Sequence, residues 1–386
     1  MTFVPRSLEP NIKQLMEWFP VVSVTGPRQS GKSTLLKEMF PQVPYVTLED
    51  TSLREIVAED PIGFLRANDS PFIIDEAQYV PELFSAVQIV SDEKNTPGQY
   101  ILSGSQNFLL LKSITQSLAG RVGITHLLPL AFSEATAAQP DIDVESFMIL
   151  GGYPRMYNVD IPPAVYFENY INTYVERDVT ELLGVRDAVS FRKFLVACAT
   201  QAGNLIQYST LANELDVDFK TIKRWVSILE SSFVVFELPA YHANVRKTLT
   251  KTPKLYFYDT GLLCHLLGIR TFNDWIKSPF RGAIFENLIV AETAKWHMHS
   301  GRRPELYFYR DDSKREIDLL DFTEGRQQAV EIKASPKYEQ KHVRHLVAVS
   351  EELGIQPGDR HVVYRGDYAS QTANHTIIPA RKYLSF

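Results

Sequence analysis

Residues 26–34 form a stretch whose composition and spacing suit phosphate binding. The stretch reads "GPRQSGKST", fits the pattern G-x-x-x-x-G-K-[ST], and lies between a strand-like run, "VVSVT", and a helix-like run, "STLLKEMF". Glycines in such a loop let backbone N–H groups turn toward phosphate oxygens at a helix N-terminus, where the dipole favours anions. A glycine turn that binds nothing is the alternative. The predicted nucleotide-binding residues are Gly26, Pro27, Arg28, Gln29, Ser30, Gly31, Lys32, Ser33 and Thr34.

Side chains inside this loop, and two acids that follow a later strand, are expected to bind Mg²⁺ and the attacking water. Lys32 is expected to neutralise the β- and γ-phosphates, and the Ser33 hydroxyl to bind Mg²⁺. In "PFIIDEAQ", Asp75 and Glu76 follow an apolar strand. Asp75 suits Mg²⁺ binding through the ion's water ligands, and Glu76 can polarise the water that attacks the γ-phosphate. Paired acids also occur at solvated strand ends, but their position after a phosphate loop favours a catalytic role.

Two further candidates complete the predicted nucleotide site. The strand in "QYILSGSQN" ends in polar groups, so Ser105 or Gln106 could contact the γ-phosphate or the attacking water. An ordinary strand-end turn explains these residues equally well. Arg121, in "SLAGRV", is a candidate to stabilise transition-state charge, in the same chain or across a subunit boundary. A surface arginine is the alternative.

A second group of chemically capable residues lies in "AVEIKAS", residues 329–335. Glu331 and Lys333 are two positions apart, so in a strand both point to one face. Asp318, in "REIDLL", is suited to an antiparallel neighbouring strand joined by the "TEGRQ" turn. Two acids that hold Mg²⁺ and a lysine that orients water would serve phosphodiester cleavage, because the metal lowers the water's pKa and neutralises developing charge. A structural ion-pair cluster is the alternative.

Composition narrows the class of protein. The chain has 386 residues, 45% of them apolar, and a net charge of −6, which argues against a protein that coats nucleic acid all over. Its two cysteines belong to no ligand cluster, so neither a disulfide framework nor a zinc site is expected. No signal-peptide pattern is present, and no apolar run approaches the ~20 residues that span a bilayer. A cytoplasmic protein without a membrane segment is expected.

The order of apolar runs predicts several α/β and helical units. Residues 21–130 alternate strands with amphipathic helices, which is typical of a parallel sheet covered on both faces. Residues 205–258 give helix, turn, helix and two strands, the order of a winged helix. The predicted units are an ATPase domain at 1–150, a helical connector at 151–204, a winged helix at 205–260 and a further α/β domain at 261–386.

The predicted winged helix carries basic residues that could contact DNA. An apolar stripe on its second helix leaves three basic residues off the stripe, where a recognition helix would present them. The hairpin that follows is basic and contains no acid, so it could contact phosphates. Contact with protein, or a lid function, is the alternative. The basic residues are Lys220, Lys223 and Arg224 on the helix, and Arg246, Lys247, Lys251 and Lys254 in the hairpin.

Motifs along nearly the whole chain resemble AAA-type ATPases of bacteria and archaea whose C-terminal half was long catalogued as a domain of unknown function. The motifs that carry the resemblance are "FPVVSVTGPRQSGKSTL", "FIIDEAQ", "LSGSQNFLL", "SLAGR", "LPLAFSEA", "GGYPR", "YVERDV", "YDTGL" and "FYRDDSKREIDLL…VEIK". The resemblance implies ATP and Mg²⁺ as ligands, an AAA-like core, a winged helix and a restriction-endonuclease-like C-terminal domain. Ser33 stands where threonine is commoner, and the hydroxyl is retained.

The same resemblance implies roles for individual residues and for assembly. Glu286, on the helix "RGAIFENLIVAE", lies where such nucleases carry an extra carboxylate, and Glu286, Asp318, Glu331 and Lys333 match their pattern. Gln340 is a weaker candidate. Related ATPases complete their sites from a neighbouring subunit, so a homo-oligomer is a further expectation.

Together these patterns predict a Mg²⁺-dependent ATPase whose nucleotide state repositions a winged helix and a nuclease-like domain, acting on DNA. One alternative is a nucleotide-switched regulator that binds DNA or protein and whose nuclease-like domain is inactive. Another is a motor that translocates along nucleic acid.

Overall fold

Five short runs in the first third of the chain form one parallel sheet. The computed structural model describes residues 3–105, 117–174, 188–242 and 252–385. Strands β1 to β5 are Val21–Thr25, Tyr45–Thr47, Phe72–Asp75, Tyr100–Gly104 and Val122–His126. They lie in the order β2-β3-β4-β1-β5 with every pair parallel, so their carboxyl ends meet at one edge. The predicted parallel sheet is therefore confirmed.

Helices cover both faces of this sheet because β1 is apolar on both sides. Val21 faces one buried cluster, and Val22 faces another. Successive side chains of a strand point to opposite faces of the sheet, so these two neighbouring valines pack into different clusters. Helices α1 to α5 are Glu9–Trp18, Lys32–Met39, Thr51–Glu59, Pro61–Ala67 and Glu82–Lys94.

The next part of the chain is largely helical and ends in a two-stranded sheet. The predicted order of helix, helix, strand and strand is confirmed in α11, α12, β6 and β7, and the side chain of Asp218 caps α12. Residues 243–251 of the predicted basic hairpin lie outside the described residues, with Arg246, Lys247 and Lys251 among them. Helices α6 to α12 are Phe132–Ala138, Val144–Leu150, Arg155–Asn158, Pro163–Tyr174, Ala188–Thr200, Tyr208–Glu214 and Phe219–Ser231; β6 is Val235–Leu238 and β7 is Lys254–Phe257.

A mixed six-stranded sheet forms the last part of the chain, in the order β12-β13-β11-β10-β9-β8. The predicted antiparallel pairing of β9 with β10 is confirmed, with Leu319 opposite Val330. Continuing that register by one position brings Asp318 opposite Glu331. Strands β8 to β13 are Leu306–Arg310, Glu316–Asp321, Gln328–Lys333, Arg360–Tyr364, Ser370–Gln371 and Thr376–Pro379; helices α13 to α17 are Thr260–Leu266, Phe272–Lys277, Arg281–His299, Arg344–Glu352 and Ala380–Tyr383.

Helix α15 is buried along most of its 19 residues and contacts β5, β7 and β10, one strand from each of the three sheets. At its start, the Asn287 amide bonds both the N–H and the C=O of Phe257 on β7, each at 2.8 Å. At its end, His299 Nε2 accepts from Leu128 N–H at 3.2 Å, just beyond β5. One hydrophobic cluster holds Val4 and residues from Leu130 to Leu384, so it crosses all three predicted boundaries, which stay predictions, while the parallel sheet has two clusters of its own. No described helix has the length and apolar character to cross a bilayer.

Buried His299 should make stability depend on pH. Burial lowers its pKa to about 4, against 6.5 for an exposed histidine, so between these values the unfolded chain binds a proton that the folded chain does not. We therefore expect the free energy of unfolding to fall as pH decreases from about 6.5 to about 4. Urea unfolding of His299→Gln should show a shallower fall across this window than wild type, while exposed His345→Gln should match wild type. Equal slopes for the wild type and His299→Gln would contradict this account.

Candidate functional site

The loop between β1 and α2 has a backbone shape that requires glycine at two positions. Gly26 has φ 153°, and a Cβ there would lie 2.1 Å from the Leu127 carbonyl oxygen. Gly31 has φ 95° and precedes the first turn of α2. Gln29 also lies in the left-handed region, with φ 61°. The chain between Gly26 and Thr34 thus turns tightly from strand to helix, as the motif predicts.

A cavity of about 810 Å³ opens above this loop, at the carboxyl edge of the sheet. This volume lies within the range of small-molecule sites, roughly 300–1,000 Å³. Its lining combines residues of the loop with acids from the neighbouring strand and with residues of α8. The residues that line the cavity include Arg28, Gln29, Lys32, Ser33, Thr34, Asp75, Glu76, Ser105 and Arg155.

The Lys32 ammonium lies inside the loop. Its Nζ donates to the carbonyl oxygens of Gly26 and Pro27 at 3.0 and 2.9 Å. The side chain is buried, so its charge is confined to the region that the loop surrounds. A bound phosphate would meet this ammonium directly.

Asp75 is the centre of a buried hydrogen-bond network at the end of β3. The Ser33 hydroxyl donates to Asp75 Oδ2 at 2.6 Å, and the hydroxyls of Tyr45 and Ser103 also donate to this carboxylate. Burial raises the pKa of Asp75, but these hydrogen bonds and the Lys32 charge outweigh it and lower the pKa below its usual value. Asp75 is therefore ionised at neutral pH. A carboxylate beside a hydroxyl is an oxygen donor set that fits Mg²⁺.

Glu76 turns away from the strand into the cavity. Its backbone has φ 53°, a left-handed conformation that costs a non-glycine residue on the order of 1 kcal/mol. Ser105 Oγ donates to Glu76 Oε2 at 3.2 Å, and the Gln78 amide donates to the same oxygen. The structure thus brings the Ser105 hydroxyl to Glu76, whereas Gln106 lies outside the described residues. The contacts hold the Glu76 carboxylate in one position.

Arg121 lies at the wrong end of the sheet to act on this site in its own chain. Its carbonyl oxygen accepts from Val21 N–H at the start of β1, on the order of 13 Å from the loop that follows that strand. Its guanidinium pairs with Asp92, Nε to Oδ1 2.7 Å, on the surface. The predicted same-chain role is therefore wrong. A role across a subunit boundary stays a prediction.

Arg155 lines the cavity and was missed in the sequence. It begins α8 directly after "GGYP", and within the described ranges its guanidinium has no ion-pair partner. The two glycines allow this approach, because a Cβ on Gly152 would lie 2.2 Å from the Leu130 carbonyl oxygen. A double glycine followed by an arginine is the signal that could have identified it.

Arg6 supports the loop from outside and was also missed. Its guanidinium donates to the Ser30 and Leu128 carbonyl oxygens at 2.9 and 2.7 Å, and its Nε lies 3.2 Å from Glu134 Oε2. Burial raises the pKa of Glu134, but the Arg6 charge outweighs it and the pKa falls to about 2. No local motif around Arg6 predicts these contacts.

The predicted residues of the C-terminal sheet come together in a second cluster. Lys333 Nζ lies 2.6 Å from Glu331 Oε1 and 3.6 Å from Asp318 Oδ2, so acid and base share one face as predicted. The Ile332 N–H donates to Asp318 Oδ2 at 2.7 Å. Burial and the Asp318 charge raise the pKa of Glu331. Glu331 Oε2 is buried and has no hydrogen-bond partner among the described residues.

Glu286 joins this cluster through Lys254, which was predicted to lie in the basic hairpin. Its Oε1 accepts from Lys254 Nζ at 3.0 Å and from the Tyr256 hydroxyl at 2.6 Å. Lys254 also contacts Glu316 Oε1 at 2.7 Å and is buried, so its predicted contact with DNA phosphates is wrong.

Metal binding by this cluster stays a prediction. In the part of the chain that the structure describes, no three His, Cys, Asp or Glu side chains already surround a common metal position. Gln340 begins a short exposed 3₁₀ turn.

Three regions of the chain match known families. Residues 19–136 match the family described as "AAA domain". Residues 142–273 and 281–383 match two families described as "Domain of unknown function", DUF8612 and DUF4143. Together these matches cover most of the chain in three consecutive segments.

Relatives that match most of the chain occur in bacteria and archaea. An uncharacterized protein of Mycobacterium tuberculosis is 29% identical over 387 residues, covering 98% of this chain and 84% of its own length. An uncharacterized protein of Methanocaldococcus jannaschii is 24% identical over 338 residues, covering 79% and 72%. Among solved structures, a Walker-type ATPase of Pyrococcus abyssi aligns with a TM-score of 0.46 at 18% identity, covering 67% of this chain and 94% of that one. The chain carries an AAA-like α/β domain at its N-terminal end, followed by helical and mixed-sheet regions.

Proposed function

We propose that the protein binds ATP with Mg²⁺ at the loop of residues 26–34 and hydrolyses it. The observation that carries this proposal is the 2.6 Å contact between Ser33 and Asp75, with Glu76 next in sequence and all three at one cavity. Ser33 lies in the first turn of α2, which follows β1, and Asp75 ends β3, so the groups meet at the carboxyl edge of the sheet. The match of residues 19–136 to AAA domains supports the same activity.

The chain's own groups account for binding and for activation of water. Loop N–H groups and the Lys32 ammonium would bind the β- and γ-phosphates, and Ser33 and Asp75 would hold Mg²⁺. When bound, Mg²⁺ neutralises charge on the phosphate oxygens. Glu76, fixed by Ser105 and Gln78, accepts a proton from the attacking water.

We infer that Arg155 couples ATP hydrolysis to the helical region of the chain. It lines the nucleotide cavity but belongs to the region that follows the AAA-like domain. A guanidinium that contacts the γ-phosphate would attract α8 while ATP is bound and release it after hydrolysis. Nucleotide state would in this way reach the helical region. Arg155 is therefore our candidate for the role first assigned to Arg121.

Variants of the loop and the acids separate binding from turnover. Lys32→Ala should weaken ATP binding by roughly 10–100-fold, because it removes a charge-assisted contact to phosphate. Glu76→Gln should keep ATP affinity and lose turnover by roughly 10²–10⁴-fold, because the amide cannot accept a proton. Calorimetric titration and phosphate release measure the two effects. Wild-type turnover in Glu76→Gln would remove that assignment.

A matched pair of arginine variants tests the coupling residue. Arg155→Ala should lower the rate of ATP turnover at least about tenfold, because transition-state charge loses a cation. Arg66→Ala, which breaks only an exposed pair with Glu93, should stay within about twofold of wild type. Phosphate release at saturating ATP measures both. Equal rates in the two variants would exclude Arg155 from the chemistry.

A second proposed activity is metal-dependent cleavage of DNA or RNA at Asp318, Glu331 and Lys333. The observation that favours it is the buried, unpartnered Glu331 Oε2 beside Asp318 and Lys333. Exposed Lys220 and Lys223 on α12 support DNA as the substrate. The alternative is a nucleotide-switched regulator whose cluster holds no metal and whose surface binds DNA or protein.

Cleavage is tested together with ATP turnover. Wild-type protein with Mg²⁺ or Mn²⁺ should nick or degrade DNA or RNA, and Glu331→Ala should lose at least about 100-fold, because a metal ligand is removed. The same tubes report ATP turnover with and without nucleic acid, and stimulation without cleavage would indicate a translocating motor. Wild-type protein that cleaves none of these substrates would favour the regulator. A concentration series of the ATPase rate would show whether copies of the chain assemble.

A further inference from the structure

Lys254 joins two regions of the chain at the carboxylate cluster. It belongs to β7, in the region of the predicted winged helix, yet only 4% of its surface is exposed. Its Nζ bridges Glu286 on α15 and Glu316 on β9, at 3.0 and 2.7 Å. The C-terminal cluster is therefore incomplete without a side chain from the middle of the protein.

The surroundings of Lys254 hold it in this position. The Tyr256 hydroxyl, two residues along β7, donates to the same Glu286 oxygen at 2.6 Å. The Asn287 amide fixes β7 to α15 through both backbone groups of Phe257. Because these contacts attach β7 to α15, the backbone of Lys254 is held beside Glu286, and burial of the side chain limits where its ammonium can lie.

The charges of the cluster do not balance. Four carboxylates, Glu286, Glu316, Asp318 and Glu331, face the buried ammonium of Lys254, the ammonium of Lys333 and, at the more exposed edge, the Arg310 guanidinium, 4.0 Å from Glu316. With all four acids ionised, one negative charge is left over, and Glu331 Oε2 has no partner in the described part of the chain. A bound cation would compensate this charge, since buried charges need compensation.

We propose that Lys254 is a fixed counter-cation of this cluster, which positions Glu286 and leaves Asp318 and Glu331 to bind a single divalent cation. This inference rests on the second proposed activity. Lys254 stays in place when the metal binds and repels it, so the cluster binds one divalent cation weakly rather than tightly. Lys254 is thus a positioning residue whose effect is electrostatic.

The test measures Mn²⁺ affinity, without nucleotide, by electron paramagnetic resonance. Lys254→Met should bind Mn²⁺ about tenfold or more tightly than wild type, because a nearby positive charge is lost. The double variant Lys254→Met/Glu286→Gln removes one charge of each sign and should return to within about threefold of wild type. Exposed Lys337→Met is the control and should match wild type. If Lys254 had only a structural role, Lys254→Met would not bind Mn²⁺ more tightly, and Glu286→Gln would not reverse such an increase.

The outcomes separate the role of Lys254 from metal binding by Asp318 and Glu331. Mn²⁺ binding that Glu331→Ala abolishes, with the affinities above, supports both. Mn²⁺ binding that depends on Glu331 but is the same or weaker in Lys254→Met overturns the role of Lys254 alone. If Lys254→Met does not fold, Glu286→Gln decides, because it leaves the Lys254 charge uncompensated and should weaken Mn²⁺ binding about tenfold, whereas unchanged affinity overturns the role of Lys254. Absence of any Glu331-dependent Mn²⁺ binding overturns the metal site and this inference together.

Discussion

Helix α15 is buried along most of its length, and several of its polar side chains take partners from outside the helix. Glu292 accepts from the Phe132 N–H at 2.6 Å, and His297 contacts Asp321 at 2.8 Å. Asn287 and Glu286 take their partners from β7. Because these partners come from three parts of the chain, a single helix fixes the AAA-like domain, the two-stranded sheet and the C-terminal sheet relative to one another.

The nucleotide site depends on a similar constraint at smaller scale. Asp75 is buried yet ionised because three hydroxyl groups donate to it and the Lys32 charge lies nearby. Two of these donors, Tyr45 and Ser103, lie on the strands that flank β3. Correct strand order is therefore needed before the carboxylate can face Ser33. The fold of the sheet and the chemistry proposed for the site are determined by the same hydrogen bonds.

Much of both sites could be predicted because the relevant residues are close in sequence or lie on adjacent strands. The loop geometry follows from its glycines, and the pairing of Asp318 with Glu331 follows from strand parity and a short turn. Arg121 was misplaced because it comes directly before β5, and in a parallel sheet the residues that precede a strand lie at the edge opposite the loop.

Arg6 and Arg155 were missed because their contacts join segments far apart in sequence, which no local pattern records. Lys254 was assigned to a DNA-binding surface because a basic run resembles a solvated face. Its burial depends on acids that fold against it from α15 and β9.

The tight attachment of β7 to α15 restricts how such a protein can diversify. A recombination event that replaced everything after residue 280 would leave Lys254 and the polar groups of Phe257 buried without the acids and amide that satisfy them. Viable exchanges would have to cut before β6 or preserve α15 intact. Proteins that evolve from this one should therefore retain β6, β7 and α15 together, even where the sheet that follows them has changed.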